Sequence, residues 1–293
     1  MWKSPCSKGR RVAPFSVAAH PIRGSSAWQG AAPGLQMASR SGHIKTMRPS
    51  SRPPAAMLLA LFVMAGAAAL PAAPRAGGTP QQAEPLAEPQ HRAWRAIGRV
   101  NVAGFDTGGF CTGTLIATDR VLTAAHCLYA LRGHQLAKPG QVHFLAGWLK
   151  GGYAAHRTAR LLRPNPGFEP NRRPDSRSLR SDVAILLLET PIPDIAPLPL
   201  ALPERIGPEV TVIGYRRDRP NALSRIGDCR VLVQSPGMAG LGCAVTEGSS
   251  GAPVLQRAGQ GWQVVGVISA SLRGAGEVRV IAARPDAAFL AGR

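Results

Sequence analysis

The chain has 293 residues, is 45% apolar and only 5% aromatic, and carries 35 Lys or Arg against 16 Asp or Glu, a formal net charge of +19. That length and apolar share exclude a mainly disordered protein and allow one or two domains with a sizeable core. Residues 1–75 hold ten Lys or Arg and no acid, and no nucleic-acid motif accompanies the remaining 25 basic and 16 acidic residues, so nucleic acid is excluded as a partner. The excess reads as the solvated surface of an Arg-rich chain, with attraction to acidic substrates or anionic cell surfaces as the alternative.

In chain order, residues 1–46 are rich in Arg, Ser and Gly and lack an apolar period. They read as an upstream segment that is either disordered or not translated, with synthesis starting at Met47. Residues 47–75 read as a signal peptide. Arg48 and Arg52 precede the apolar run Met57–Leu70, and small residues follow to Ala73, with cleavage after Ala69 or a few residues later. The run is too short for a membrane span, which needs about 20 apolar residues. Residues 76–93 form a linker or short propeptide, rich in Pro, Ala, Gln and Glu between Gly77 and Gln90.

Ordered structure is expected from near Trp94. Short runs of Val, Ile, Leu and Ala, separated by turn residues, predict strands at Ala96–Val102, Gly113–Thr118, Arg120–Ala124, Gln141–Gly147 and Thr158–Leu162. The apolar run Val183–Leu188 follows. Six prolines between residues 190 and 208 mark a connection, because proline cannot donate to a central ladder. Beyond it come strands at Glu209–Tyr215, Asp228–Gln234, Ala252–Leu255, Gln263–Ser269 and Val278–Ala283, a charged loop tip at Arg216–Arg219, and a terminal helix at Pro285–Leu290. No long helical period appears, so the fold class is all-β.

Cys6 lies upstream of the signal, which leaves Cys111, Cys127, Cys229 and Cys243. An even count in an exported chain points to disulfides. Metal ligation is the alternative, weakened by the lack of a C-x-x-C pair and by His126 being the only neighbouring histidine.

Three segments carry chemistry. Leu122-Thr-Ala-Ala-His126-Cys127 ends an apolar strand on a histidine. Ser181-Asp182 opens the run Val183–Leu188. Gly248-Ser249-Ser250-Gly251-Ala252-Pro253 holds a serine in a glycine-rich turn. A serine hydroxyl needs a neighbouring base, a histidine titrates in the right range, and a carboxylate orients the imidazole and balances its charge. Ser249 is the rival nucleophile and Asp175 the rival carboxylate. His91, His134, His143 and His156 lack such context and read as surface residues.

These motifs, in this order, resemble those of the chymotrypsin-like, or trypsin-like, serine peptidases. The turn, with Ser249 before the nucleophile where many animal members have Asp, is similar to that of the bacterial glutamyl-endopeptidase-like branch. The resemblance covers roughly residues 94–293. It implies two six-stranded antiparallel β-barrels, residues 94–200 with His126 and Asp182, and residues 201–293 with Ser250. It further implies an exported serine endopeptidase, secreted or periplasmic, that acts on protein or peptide substrates as a monomer without metal or cofactor. The amides of Gly248 and Ser250 would form the oxyanion hole. Disulfides Cys111–Cys127 and Cys229–Cys243 are expected. Ala244, Val245, Ile268 and Ser271 would line the substrate pocket. No acid stands at 244 and no histidine at 268, so small or medium apolar side chains are expected there, modified by Glu247 if it turns inward. A catalytically silent basic binding protein on the same fold remains the alternative.

Overall fold

The computed structural model describes residues 82–103, 109–129, 135–170, 174–274 and 276–291, all within the unit Pro71–Arg293. The upstream segment, the signal peptide, Cys6 and His134 lie outside the described residues.

Order sets in earlier than Trp94. A two-residue strand, β1 (Glu84–Pro85), is followed by a short helix, α1 (Glu88–Ala93), with Pro89 in its first turn, where the missing N–H costs nothing. His91 on this helix is buried, not superficial, because α1 lies against the body of the protein. Burial holds its imidazole below the ordinary histidine value.

Six strands then close a barrel: β2 (Ile97–Val102), β3 (Cys111–Ala117), β4 (Arg120–Thr123), β5 (Val142–Ala146), β6 (Ala155–Pro164) and β7 (Ala184–Leu188). They are joined in the order β2-β3-β4-β7-β6-β5, every pairing is antiparallel, and β5 returns to β2. A five-residue helix, α2 (Ser176–Arg180), precedes β7. Asp175 caps it, accepting from Ser178 N at 2.8 Å.

The second half contains β8 (Glu209–Arg216), β9 (Arg219–Ser235), β10 (Met238–Leu241), β11 (Pro253–Ala258), β12 (Gly261–Ser271) and β13 (Val280–Ala283). Antiparallel pairings run β8-β9-β10-β13-β12-β11, and β11 returns to β8, so these six strands also form a ring. β1 adds to the outside of β9, pairing Glu84 with Arg225 and Pro85 with Ser224. β9 is longer than the expected Asp228–Gln234 because Arg219–Gly227 continues the ladder while turning several polar side chains outward. The charged tip is therefore the Arg217-Asp218 turn of the β8–β9 hairpin. The proline-rich connection bridges Leu200 to Val264 on β12. A last helix, α3 (Ala287–Leu290), is capped by Asp286.

The alternation of strands explains the core. On β7, Ala184, Leu186 and Leu188 point into the first barrel, whereas Val183 and Ile185 belong to a second apolar layer. That layer also takes Ile97 and Leu122 from the first barrel and Ile213, Tyr215, Leu223, Leu255, Val264 and Val267 from the second, so it is the seam between them. The run Val183–Leu188 is uninterrupted because both faces of its strand are covered. Both expected disulfides are present, Cys111–Cys127 and Cys229–Cys243.

Candidate active site

His126 sits in a 3-10 turn, Ala125–Leu128, at the end of β4. The apolar residues before it are buried in the barrel, and the Cys111–Cys127 bridge ties the turn to the start of β3. Asp182 lies where α2 gives way to β7 and is 3% exposed. Its two carboxylate oxygens hold the histidine at two points. Oδ2 lies 2.7 Å from His126 Nδ1, and Oδ1 accepts the His126 backbone N–H at 2.9 Å. The ring is thereby fixed with Nδ1 on the buried carboxylate.

A third donor completes the carboxylate. Ser269 Oγ, on β12 of the second ring, donates to Asp182 Oδ2 at 2.6 Å. Burial alone pushes the Asp182 carboxyl up. The His126 charge and the hydrogen bonds from His126 and Ser269 outweigh it and hold the group below its ordinary value. For His126 burial pushes down, and the Asp182 charge and hydrogen bond reverse this and raise the imidazole. Ser269 was missed by motif reading, since a single serine inside an apolar strand carries no pattern. Its signal was that a hydroxyl buried in a run such as Val264–Ile268 needs a partner.

The serine turn approaches from the other side. Gly248 has φ +90°, and Gly251 has φ +75°, backbone conformations that favour glycine. A Cβ on Gly251 would collide with Thr112 O, Thr123 Oγ1 and Ala124 N, so the turn packs directly on the segment that leads to His126. Thr112 N donates to Ser250 O at 2.8 Å, Thr112 Oγ1 to Gly248 O at 2.9 Å, and Gly251 N to Ile268 O at 2.7 Å, beside Ser269. Ser249 is 4% exposed, and its hydroxyl donates to Tyr215 O at 3.3 Å, away from the histidine. Ser250 is half-buried. Among the described residues no hydrogen bond joins Ser250 Oγ to His126, whose Nε2 lies 3.8 Å from Cys127 Sγ. Bonds of this kind tighten when substrate fills the cleft.

Beside the turn is a cleft of about 650 Å³. Ala244, Val245 and Ser271 line it. Ile268 does not. It is 1% exposed and packs in the core of the second ring, because its position on β12 faces inward. Glu247 does line the cleft, paired with Arg217. Arg217, Arg273 and Arg279 also border it, residues on a hairpin tip and strand ends that no motif marked.

Elsewhere, His143 and His156 are neighbours on β5 and β6, half-buried with Nδ1 and Nε2 2.9 Å apart, not isolated surface residues. Their strands are antiparallel neighbours in the barrel wall, which brings the two positions together. Asp175 is occupied as the cap of α2. The two sulfurs of Cys111 and Cys127 lie within 4.8 Å of a His126 nitrogen, but they are bonded to each other, so neither offers a thiolate to a metal. No helix among the described residues is long and apolar enough to cross a membrane.

Comparison with known proteins fits this geometry. The chain is similar in fold to a solved Glu endopeptidase, at 19% identity and a TM-score of 0.59, covering 73% of this chain and 95% of that one. A thermostable serine protease, AL20, from an extremophilic microorganism aligns at 21% identity and a TM-score of 0.52 over 66% of this chain and 91% of its own. The protease Anisep from Arthrobacter nicotinovorans aligns at 19% identity and a TM-score of 0.52, over 71% and 93%. No curated protein matches the chain. The trypsin-like peptidase domain matches residues 111–267, over half of the sequence and from the first paired cysteine past the serine turn. The chain belongs to the trypsin-like peptidase family and is a serine-type endopeptidase.

Proposed function

We propose that the protein is an exported endopeptidase that cleaves peptide bonds through an acyl-enzyme, with Ser250 as nucleophile, His126 as base and then acid, and Asp182 as the orienting carboxylate. The observation that carries this reading is the two-point grip of Asp182 on His126, with the glycine turn of Ser250 packed on the segment that leads to His126. His126 Nε2 takes the Ser250 proton as Oγ bonds to the scissile carbonyl carbon. The oxygen becomes an oxyanion, stabilised by the amides of Gly248 and Ser250. Neither amide donates to a backbone carbonyl among the described residues, which leaves both free for this task. The imidazolium returns its proton to the amine as the C–N bond breaks. Water then repeats the sequence on the ester, releasing the acid and restoring Ser250. Asp182 stays ionised throughout and stabilises the positive ring.

Export is supported by the apolar run Met57–Leu70 and by two disulfides, which persist in oxidising compartments. The buried hydroxyl of Ser249 supports Ser250 over its neighbour. The test is a fluorophosphonate label with peptide mapping, alongside Ser250→Ala and Ser249→Ala in a peptide hydrolysis assay. Label on Ser250, and loss of turnover by several orders of magnitude in Ser250→Ala alone, is expected. An unlabelled, inactive wild type would indicate a silent binding protein on this fold.

A further inference from the structure

On the outer wall of the first barrel, three neighbouring strands bring polar side chains into one patch that the triad does not use. On β5, Val142, Phe144 and Ala146 fill the barrel core, so His143 between them faces out. Across the ladders it stands opposite Asn101 of β2 on one side and Thr158 of β6 on the other. His156 lies two residues before Thr158, on the same face of β6. This diagonal lets the two rings meet, and His143 Nδ1 lies 2.9 Å from His156 Nε2. The edge of Tyr153 packs on His156, with ring centroids 5.6 Å apart. His156 also lines an open depression of about 420 Å³ that Asp194 borders, so the pair is reachable from solvent.

In the neutral pair one of these nitrogens donates a proton and the other accepts it. Moving that proton to the far nitrogen of the donor ring leaves two lone pairs at the same spacing, with no net proton gained or lost. Two imidazole nitrogens bound to one zinc ion at about 2.0–2.1 Å, at angles from square to tetrahedral, stand about 2.9–3.4 Å apart. The pair already has that spacing. Burial, the His143 ring and Arg157 hold the His156 imidazole below its ordinary value, which keeps it neutral and able to ligate. Arg157 itself does not fill the patch. It faces the other way on β6, paired with Phe144, and its guanidinium donates to Pro191 O and His156 O. Thr158 holds the Glu189 carboxylate on its hydroxyl, which places negative charge on the patch. A separate observation points to a ligand: Asn101 Oδ1 is buried and has no hydrogen-bond donor among the described residues. A buried acceptor is ordinarily matched by a water or an ion.

We propose that His143 and His156 form a binding site for one late first-row divalent cation, of the zinc, nickel and copper class, on the outer wall of the first barrel, with Asn101 Oδ1 as the accompanying oxygen. Imidazole selects this class over calcium and magnesium, which take oxygen ligands. The ion ties β5 to β6 and so braces the first barrel. The site shares no residue with the triad and stands whether or not the peptidase reading holds.

The test titrates zinc chloride into the purified mature protein by calorimetry, alongside His143→Gln, His156→Gln and His126→Gln. One ion per chain is expected, with affinity at least ~10-fold lower in His143→Gln and His156→Gln and unchanged in His126→Gln. Zinc should raise the melting temperature of the wild type and leave those of His143→Gln and His156→Gln nearly unmoved, because an ion that binds only the folded chain stabilises it. Should either variant fail to fold, copper-loaded wild type carries the decision: pulsed electron paramagnetic resonance should show two imidazole nitrogens on the ion, and the same spectrum in His126→Gln. Wild type that binds no zinc, binding that survives His143→Gln and His156→Gln at full strength, or binding lost in His126→Gln overturns the inference.

Discussion

The two barrels build their shares of the proposed site differently. The first presents His126 and Asp182 from ends of buried strands, and each side chain is bonded to the other or to backbone before any substrate arrives. The second presents Ser250 from a glycine turn and its cleft from a hairpin tip and strand ends, with Arg217, Glu247 and Arg273 exposed. Ser269 crosses over as a second-barrel hydroxyl on a first-barrel carboxylate, and Thr112 crosses the other way, donating to Ser250 O and Gly248 O. Proton-transfer parts need fixed geometry, which packed strands supply. Recognition parts need open volume and charge, which loops supply. The first barrel is therefore the half that should respond to substitution through rate, and the second through selectivity.

The largest break comes at Asp182. Asp182→Asn keeps the shape but loses the charge and allows the wrong histidine tautomer, so kcat should fall about 10⁴-fold with little change in KM. The pH profile gives the same comparison a second reading. As the proposed base His126 must be neutral to accept a proton, and its pKa is raised, so activity should fall as pH drops, with the midpoint above the ordinary value of about 6.5. Stability moves the other way. The raised His126 pKa stabilises the fold fully below the unfolded value and this is lost as pH rises through the folded one. The lowered Asp182 pKa stabilises above its unfolded value of about 3.9 and this is lost only as pH falls through the folded one. Between about pH 5 and 6 the protein should thus be less active than at pH 8 yet no less stable. A thermal melt that falls in step with activity over that range would contradict the assignment.

Removing either disulfide should cost about 3 kcal/mol, since the bridges close loops of similar length, with sequence separations of 16 and 14. Their effects on catalysis should differ. Cys111→Ser/Cys127→Ser loosens the turn that holds His126 and should lower kcat several-fold in protein still folded. Cys229→Ser/Cys243→Ser should leave kcat nearly unchanged while raising KM, because Cys243 leads directly into the cleft wall at Ala244. Chemical denaturation and kinetics on both pairs read this contrast. Next in size is Ser269→Ala. It removes one hydrogen bond to a buried carboxylate, worth about 2 kcal/mol, and should move the acid limb of activity as the Asp182–His126 pair readjusts.

How far the sequence carries follows the same division. The barrels and the His, Asp and Ser motifs were legible because burial imposes alternation on strands, and because His126 and Ser250 sit in short segments where every neighbour is constrained. The length of β9 was hidden, since Arg219–Gly227 mixes buried Leu223 and Ile226 with polar residues and glycine and so shows no clean apolar alternation. The early order at α1 was hidden too, because a six-residue helix held by docking of His91 has no period to read. In the cleft, Ile268 and Arg279 were misplaced or missed for one reason. A β-bulge between Ile268 and Ala270 shifts which residues face which way, and an arginine five residues past Gly274 enters the pocket only through the fold of its loop.

The smallest effect tests the seam itself. Ile185 is 2% exposed in the layer between barrels, three residues from Asp182 and paired with Leu122, four residues before His126. Ile185→Val deletes one methylene and should cost about 1 kcal/mol in stability. If polar bonds set the alignment of the catalytic groups, as the double grip on His126 and the Ser269 contact imply, kcat should change by less than ~2-fold, because packing can relax slightly without stretching them. A drop of tenfold with the same stability loss would mean that apolar contact across the seam aligns Ser250 with His126. The first barrel would then not hold its half of the site alone, and the contrast between the two barrels would fail at the point where they touch.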